Sequence, residues 1–350
     1  MTEEARRAWL EQRRTGIGGS DVAAVLGLSA FRTPTDVYLD KIGEGKPQEV
    51  SESMHFGTIL EDVVADEFAR MTGMKVQRVN TMLRETFMHR LTKLPGWKNL
   101  TSSWAIANID RAVINPEIAK TVRVTKPESK WYGRGLMLTT DTILECKTAN
   151  AFSAAEWGES QEDEIRHGKV VSEHKIPIYY ETQIQWYMGI TGAKTCYVAV
   201  LIGGSDFRIY KVDRDDDLIQ ALIEKCAAFW LNHVMAKVPP AAVCVQDVTK
   251  LHPEDDGDLI EADNAVATDI GELRTITERI NDLKRQSEAL KTRITEALGD
   301  RSGFTIGGEK AVTFKEKKTT RLDSSALKRD MPEVVLAHQV TTSTRVFKLY

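Results

Sequence analysis

A chain of 350 residues, 42% hydrophobic and 28% charged, is long enough for one large or two modest domains and too apolar for disorder throughout. Its net charge of −4 excludes a wholly basic nucleic-acid coat, but not a local basic surface. No apolar run approaches the roughly 18 residues of a transmembrane helix, the opening MTEEARRAWLEQRR holds no secretion-type apolar stretch, and four cysteines without a CxxC pair exclude a zinc ribbon by local spacing. The expectation is a cytoplasmic protein with reduced thiols and no membrane contact.

From residue 1 to about 245 the pattern is mixed α/β. RRTGIGGSDVAAVLG places three glycines before Ser20 and a small-residue helix. Backbone amides at that helix start, with Arg13 or Arg14 alongside, could receive a phosphate; a glycine-rich turn capped by Ser20 or Asp21 explains the same residues equally well. Ser51 to Gly73 carries Ile59, Leu60, Val63, Val64, Phe68 and Met71 at helical spacing and stops at a glycine. Residues 104–114 predict a strand or tight hairpin, and 136–148 a strand entering a core. A helix follows the proline of IPIYYETQIQWYMGITG, then KTCYVAVLI and FRIYKVD form a hairpin across GGSD. DDDLIQALIEKCAAFWLNHVMAKV predicts a further amphipathic helix, closed by Pro239 and Pro240. Residues 246–263 are acidic and short of apolar side chains, which predicts a linker. Beyond it, Ile276, Ile280, Leu283, Ser287, Leu290, Ile294 and Ala297 step alternately by four and three, a heptad seam ended by Gly299. A hairpin around Gly307–Gly308, a short helix in SSALKRDM and a β-like tail TRVFKLY complete the 264–350 extension.

The chemistry concentrates on Glu145-Cys146-Lys147. Side chains two apart on a strand share a face, so a carboxylate and an ammonium can enter one site while Cys146 faces the core. The carboxylate can hold a divalent cation, and the lysine can orient a water or offset phosphoryl charge. The same E-x-K spacing recurs at Glu44, Glu128, Glu173 and Glu316, but only the Glu145 copy ends an apolar, β-branched run where a rigid site can be built. Asp110, in ANIDRAV, stands at a strand end where a second metal carboxylate would be needed. Glu61, in GTILEDVV, fits either a site acid or a solvated helix face. Gln183 and Tyr187, four apart, share a helix face, where a buried Gln–Tyr hydrogen bond also accounts for them.

In this order, RRTGIGGSDVAAVLGLSAFRTPTDVYLDKIG, HFGTILEDVVADEFARMTG, Asp110, LECKT and YYETQIQWYMGITG resemble the YqaJ-type viral recombinases, relatives of the bacteriophage lambda exonuclease among the PD-(D/E)XK nucleases. The resemblance covers roughly residues 5 to 200. It implies an α/β restriction-endonuclease-like core, a central mixed sheet flanked by helices, over residues 1–245. It implies an Mg²⁺-dependent exonuclease, Mn²⁺ being a possible substitute, that degrades the 5′-ended strand of duplex DNA and leaves a 3′ single strand for an annealing protein. A homo-oligomer, commonly a trimeric ring, and a phage or prophage origin in a bacterial host are implied as well. Carried over by residue, Asp110 and Glu145 would be the metal carboxylates, with the Cys146 backbone carbonyl as a further ligand. Lys147 would be the catalytic lysine, Glu61 the helix-borne acid, and Gln183 and Tyr187 the Q-x-x-x-Y element. Arg13 and Ser20 would bind the terminal 5′-phosphate.

Two departures stand out. Ile109-Asp110-Arg111 replaces a P-D-G-like element, and Asp141 offers another acid before the E-x-K strand. The long gap between Asp110 and Glu145 carries Arg111, Lys120, Arg123, Lys126, Lys130 and Arg134 against Glu117 and Glu128, with Trp131 and Tyr132 between, either a solvated loop or a DNA contact. Two rival readings remain: a structure-specific or flap endonuclease of the same fold, and a non-catalytic DNA-binding or scaffold protein working through its heptad.

Overall fold

The computed structural model describes residues 3–45, 51–85, 87, 89–100, 103–115, 140–162, 165, 175–340 and 344–349. Beyond Arg111, the basic, aromatic stretch of the Asp110–Glu145 gap lies outside the described residues. The chain divides into two compact units, Met1–Val248 and Thr249–Tyr350. No described helix is long and apolar enough to cross a membrane.

In the first unit, helices α1 (Glu3–Arg14), α2 (Gly19–Val25), α3 (Pro34–Ile42) and α4 (Glu52–Thr72) precede the short strands β1 (Val76–Arg78), β2 (Leu83–Glu85), β3 (Ala105–Ala107) and β4 (Arg111–Val113). Then come β5 (Thr142–Ala149), α5 (Ile178–Thr191), β6 (Thr195–Ile202), β7 (Asp206–Asp213) and α6 (Asp216–Phe229), and α7 (Val245–Leu251) runs across the boundary at Val248. The main sheet runs β1-β4-β5-β6-β7. All its neighbours are antiparallel except β5 and β6, which pair in parallel with Glu145 beside Val198 and Lys147 beside Val200. Parallel neighbours need a crossover, and α5 lies within that connection.

Strand alternation sorts β5 onto two faces. Leu144 and Cys146 join Val64, Ala65 and Phe68 of α4, with Tyr197, Ala199 and Ile209, in one buried cluster. Burying a side chain such as Phe68 contributes about 1.5–3 kcal/mol. Glu145 and Lys147 turn the other way, where Gln183 of α5 meets them. Trp104, Phe87 and Trp186 pack edge-on or tilted beside this face, and the Trp186 indole donates to the Ile106 carbonyl at 3.1 Å.

Several expectations change. Residues 104–114 are not a hairpin: β3 pairs with β2 in a separate two-stranded sheet, while β4 joins the main sheet. Asp110 occupies the bend between them, which frees its carboxylate from strand geometry. The amphipathic helix does not run unbroken to Pro239, because Trp230–Met235 loosens into a π-helical turn. The expected linker begins as helix, since α7 runs to Leu251. Asp247 anchors that helix, buried and accepting the Thr33 hydroxyl at 2.7 Å.

The second unit holds α8 (Asn264–Leu298), β8 (Gly303–Ile306), β9 (Glu309–Thr313), α9 (Ser324–Asp330) and α10 (Pro332–Ala337). The heptad residues lie within α8, capped by Asp263 and stopped at Gly299. Gly307 and Gly308 turn the β8–β9 hairpin at φ +61° and +87°, left-handed values that match a two-residue turn to strand twist. The TRVFKLY tail forms no strand among its described residues, 344–349.

Candidate active site

The antiparallel ladder of β4 on β5 ends at the Arg111–Leu144 pair. Past that point the backbone of β5 has no strand on this edge among the described residues, and the Asp110 carboxylate meets it there: the Cys146 amide donates to Asp110 Oδ2 at 2.8 Å. The amide and carbonyl of one strand residue leave the same edge, so the Cys146 carbonyl also faces the Asp110 side. On the adjoining face, Glu145 Oε1 accepts Lys147 Nζ at 2.7 Å and Gln183 Nε2 at 2.6 Å. The Gln183 amide also donates to the Tyr187 hydroxyl at 3.1 Å. Lys147 Nζ reaches Gln183 Oε1 at 3.3 Å and sits 4.7 Å over the Tyr180 ring, a cation–π contact that sequence spacing did not single out.

Two buried acids share one ammonium here. Burial pushes the Asp110 pKa well up, the Glu145 charge beside it pushes it further, and Lys147 and the Cys146 amide only partly oppose this. Burial likewise raises Glu145, against the pull of Lys147. Burial works against the Lys147 ammonium, yet Glu145 and Asp110 hold it charged far above neutral pH. Tyr187 is raised first by burial and then by Glu145, so it stays a neutral hydroxyl.

Glu61 is not free beside these acids. Arg111 Nη1 donates to it at 2.6 Å and to the Asp110 carbonyl at 2.7 Å, and Arg111 also pairs with Asp62. Arg78 adds a second cation on Glu61 at 3.3 Å. Arg111, which stands where the resembled pattern has glycine, thus ties α4 to the bend carrying Asp110. That tie spans 50 residues of sequence, beyond the reach of local spacing. Among the described residues no three His, Cys, Asp or Glu side chains converge as a ready metal cage. A divalent cation nevertheless fits the residues present. Glu145 Oε2 is buried with no hydrogen-bond partner among the described residues, and an orphaned carboxylate oxygen in an acid-rich pocket is an oxygen ligand for a hard ion.

A second cluster adjoins the first. Arg13 donates to the Ser20 hydroxyl at 2.7 Å, with its guanidinium 4.8 Å over the Trp9 ring. Gly19 links the clusters, because a Cβ there would lie 2.5 Å from the Tyr187 ring and 2.9 Å from Gln183 Cγ. Only glycine lets α2 press this closely against α5, and Ser20 follows directly after that contact. One amide at the expected anion-binding helix start has a partner within the chain: Asp21 Oδ2 accepts the Gly18 amide at 3.0 Å. Asp21 is the buried hub here, bonded to Lys41 and Arg32 at 2.7 Å each, with Arg13 at 4.0 Å. Lys41 also donates to the Arg13 carbonyl at 2.9 Å, which fixes the arginine's backbone.

Burial alone would raise the Asp21 pKa, but Lys41, Arg13 and Arg32 hold it well below its ordinary value of 3.8. A depressed acid contributes stability above its unfolded pKa and loses it as pH falls through the folded value. Asp21→Asn, which strands the buried Lys41, should therefore cost about 3 kcal/mol at pH 7 in urea unfolding. The gap to wild type should narrow as pH drops below 3.8; an equal gap at pH 7 and pH 3 would refute this role.

The mixed sheet brings an acid at the broken ladder, a strand acid and a lysine two residues past it together, the arrangement expected of a PD-(D/E)XK-type core. Residues 8–194 match the YqaJ-like viral recombinase domain, and the chain belongs to that family. It is 31% identical over 341 residues to YqaJ of Bacillus subtilis (strain 168), described as uncharacterised, covering 95% of this chain and 90% of that protein. An alkaline exonuclease from Laribacter hongkongensis is 20% identical with a TM-score of 0.42, covering 66% of this chain and 94% of its own. A phage-related exonuclease from Haemophilus somnus is 10% identical with a TM-score of 0.40, covering 63% and 95%.

Proposed function

We propose that this protein is an Mg²⁺-dependent 5′-to-3′ exonuclease of double-stranded DNA, which leaves a 3′ single strand for an annealing protein in homologous recombination. The observation that carries the reading is the meeting of Asp110, Glu145 and Lys147 around an unpartnered carboxylate oxygen. Asp110, Glu145 and the Cys146 carbonyl would hold the cation, which when bound supplies Lewis-acid stabilisation of phosphoryl charge. Lys147 stays protonated and directs its charge at the scissile phosphate or its attacking water. Gln183 fixes the Glu145 carboxylate, and Tyr187 fixes Gln183. In this reading Glu61, paired with Arg111, shapes the acid field without serving as a free base.

The end preference is assigned to Arg13 and Ser20, which offer a guanidinium and a hydroxyl beside the acids. Arg13→Ala should abolish the preference for 5′-phosphorylated over 5′-hydroxyl ends. Affinity for internal duplex should change little, because that affinity is spread over many phosphates.

The deciding experiment digests linear duplexes with 5′-phosphate or 5′-hydroxyl ends, and a covalently closed circle, with Mg²⁺ or EDTA, resolving products by strand. Loss of the 5′-ended strand from linear DNA, an intact circle and silence in EDTA are expected. Cleavage of the circle would make the protein an endonuclease of the same fold, and silence on every substrate a binding protein.

A further inference from the structure

Helix α8 presents a long apolar stripe that stays exposed among the described residues. Its 35 residues span about 52 Å. Leu273, Ile276, Ile280, Leu283, Leu290 and Ile294 along the stripe remain 36–55% exposed, and Leu298 is the helix's one buried residue. A stripe repeating every 3.5 residues buries its area only against another helix. We propose that its occupant is the same helix of a second copy of this chain, running antiparallel, with Ile280 opposite Leu283.

Flanking charge selects that arrangement. In a parallel, in-register pair, Arg279 beside the seam would face Lys284 of the second copy, twice over, with no compensating attraction. In an antiparallel pair with Ile280 across from Leu283, Leu273 meets Leu290. Glu272 then meets Arg293 at both ends, and Arg279 meets the neutral Gln286. Sliding one heptad in either direction brings Arg279 against Arg279 or Arg293 of the second copy. This register sets Ile280 on Leu283 and Leu273 on Leu290, with attraction at both ends and no like-charge contact at the flanking positions, while Ile276 meets Ser287 and Ile294 meets Asp269. Two other acids near the seam, Asp282 and Glu288, are already paired within the helix to Arg285 and Lys291. At the positions flanking the seam Glu272 is the one acid of α8. This inference needs no assumption about catalysis, since all its residues lie in the second unit.

Sedimentation velocity of the full chain over a concentration series tests it, with circular dichroism verifying that each variant keeps its helix. The wild type should show a concentration-dependent doubling of mass, which Leu283→Glu removes. Glu272→Arg and Arg293→Glu should each weaken the association by on the order of tenfold, and the double variant should restore it. Restoration distinguishes pairing from general damage, because the two residues are far apart within one chain. A wild type that never doubles, doubling that survives Leu283→Glu, or a double variant no better than the singles would overturn the proposal. So would an unaffected Glu272→Arg with tighter association in Lys284→Glu, the mark of a parallel pair.

Discussion

Lys147→Ala is expected to slow strand degradation by on the order of 10²-fold or more while the fold and DNA binding persist. The ammonium is held in place by Glu145 Oε1, Gln183 Oε1 and the Tyr180 ring, so its position is fixed before substrate arrives. It is charged at any working pH, because Glu145 and Asp110 outweigh the cost of its burial. A preorganised charge stabilises developing phosphoryl charge without reorganisation, and alanine removes that contribution outright. Lys147→Met keeps the aliphatic stem and so separates lost charge from lost packing. Single-turnover digestion reads the chemical step, and anisotropy with labelled duplex in Ca²⁺ reads binding. Near wild-type turnover in both variants would move the catalytic lysine to another of the five E-x-K pairs.

The sequence shows this site unevenly, for physical reasons. Glu145 and Lys147 are legible because strand alternation is local: two residues apart on an apolar strand means one face, and Cys146 between them joins the core. The heptad of α8 and the Gly307–Gly308 turn are legible on the same ground, as short-range periodicity and backbone chirality. What escaped local reading depends on closure between distant segments. Arg111 stands next to Asp110, but its bond to Glu61 exists only once α4 packs on the sheet. Asp21 resembles an ordinary helix cap in sequence, and it is one, since it accepts the Gly18 amide. Its ion pairs with Arg32 and Lys41 come from α3 and the turn before it folding back over α2. The strand or tight hairpin expected at residues 104–114 is two short strands in different sheets, because alternation cannot say which neighbour a short strand chooses. That choice is what places Asp110 at the end of the β4–β5 ladder.

Asp110→Ala and Glu145→Ala should each lower activity by on the order of 10³-fold or more, the largest losses expected in the chain, because a hard divalent ion tolerates few substitutes for a carboxylate oxygen. Asp141→Ala is the discriminating control. Asp141 lies four residues before Glu145, about 13 Å back along an extended strand. Its carboxylate is engaged there by the Thr142 hydroxyl at 3.2 Å and Lys194 at 3.6 Å. Activity should survive its removal. The acids also carry a stability signature independent of turnover. Burial and then the Glu145 charge raise the cost of ionising Asp110, so Asp110→Asn should melt higher than wild type in EDTA. Added Mg²⁺ should stabilise the wild type and leave Asp110→Asn nearly unmoved, since the variant has lost both the repulsion and the ligand. Thermal denaturation with and without Mg²⁺ reads both effects. If Asp141→Ala were inactive and Asp110→Ala active, the first metal carboxylate would be Asp141, and the Asp110 bond to the Cys146 amide would be only a clasp closing the end of a broken ladder.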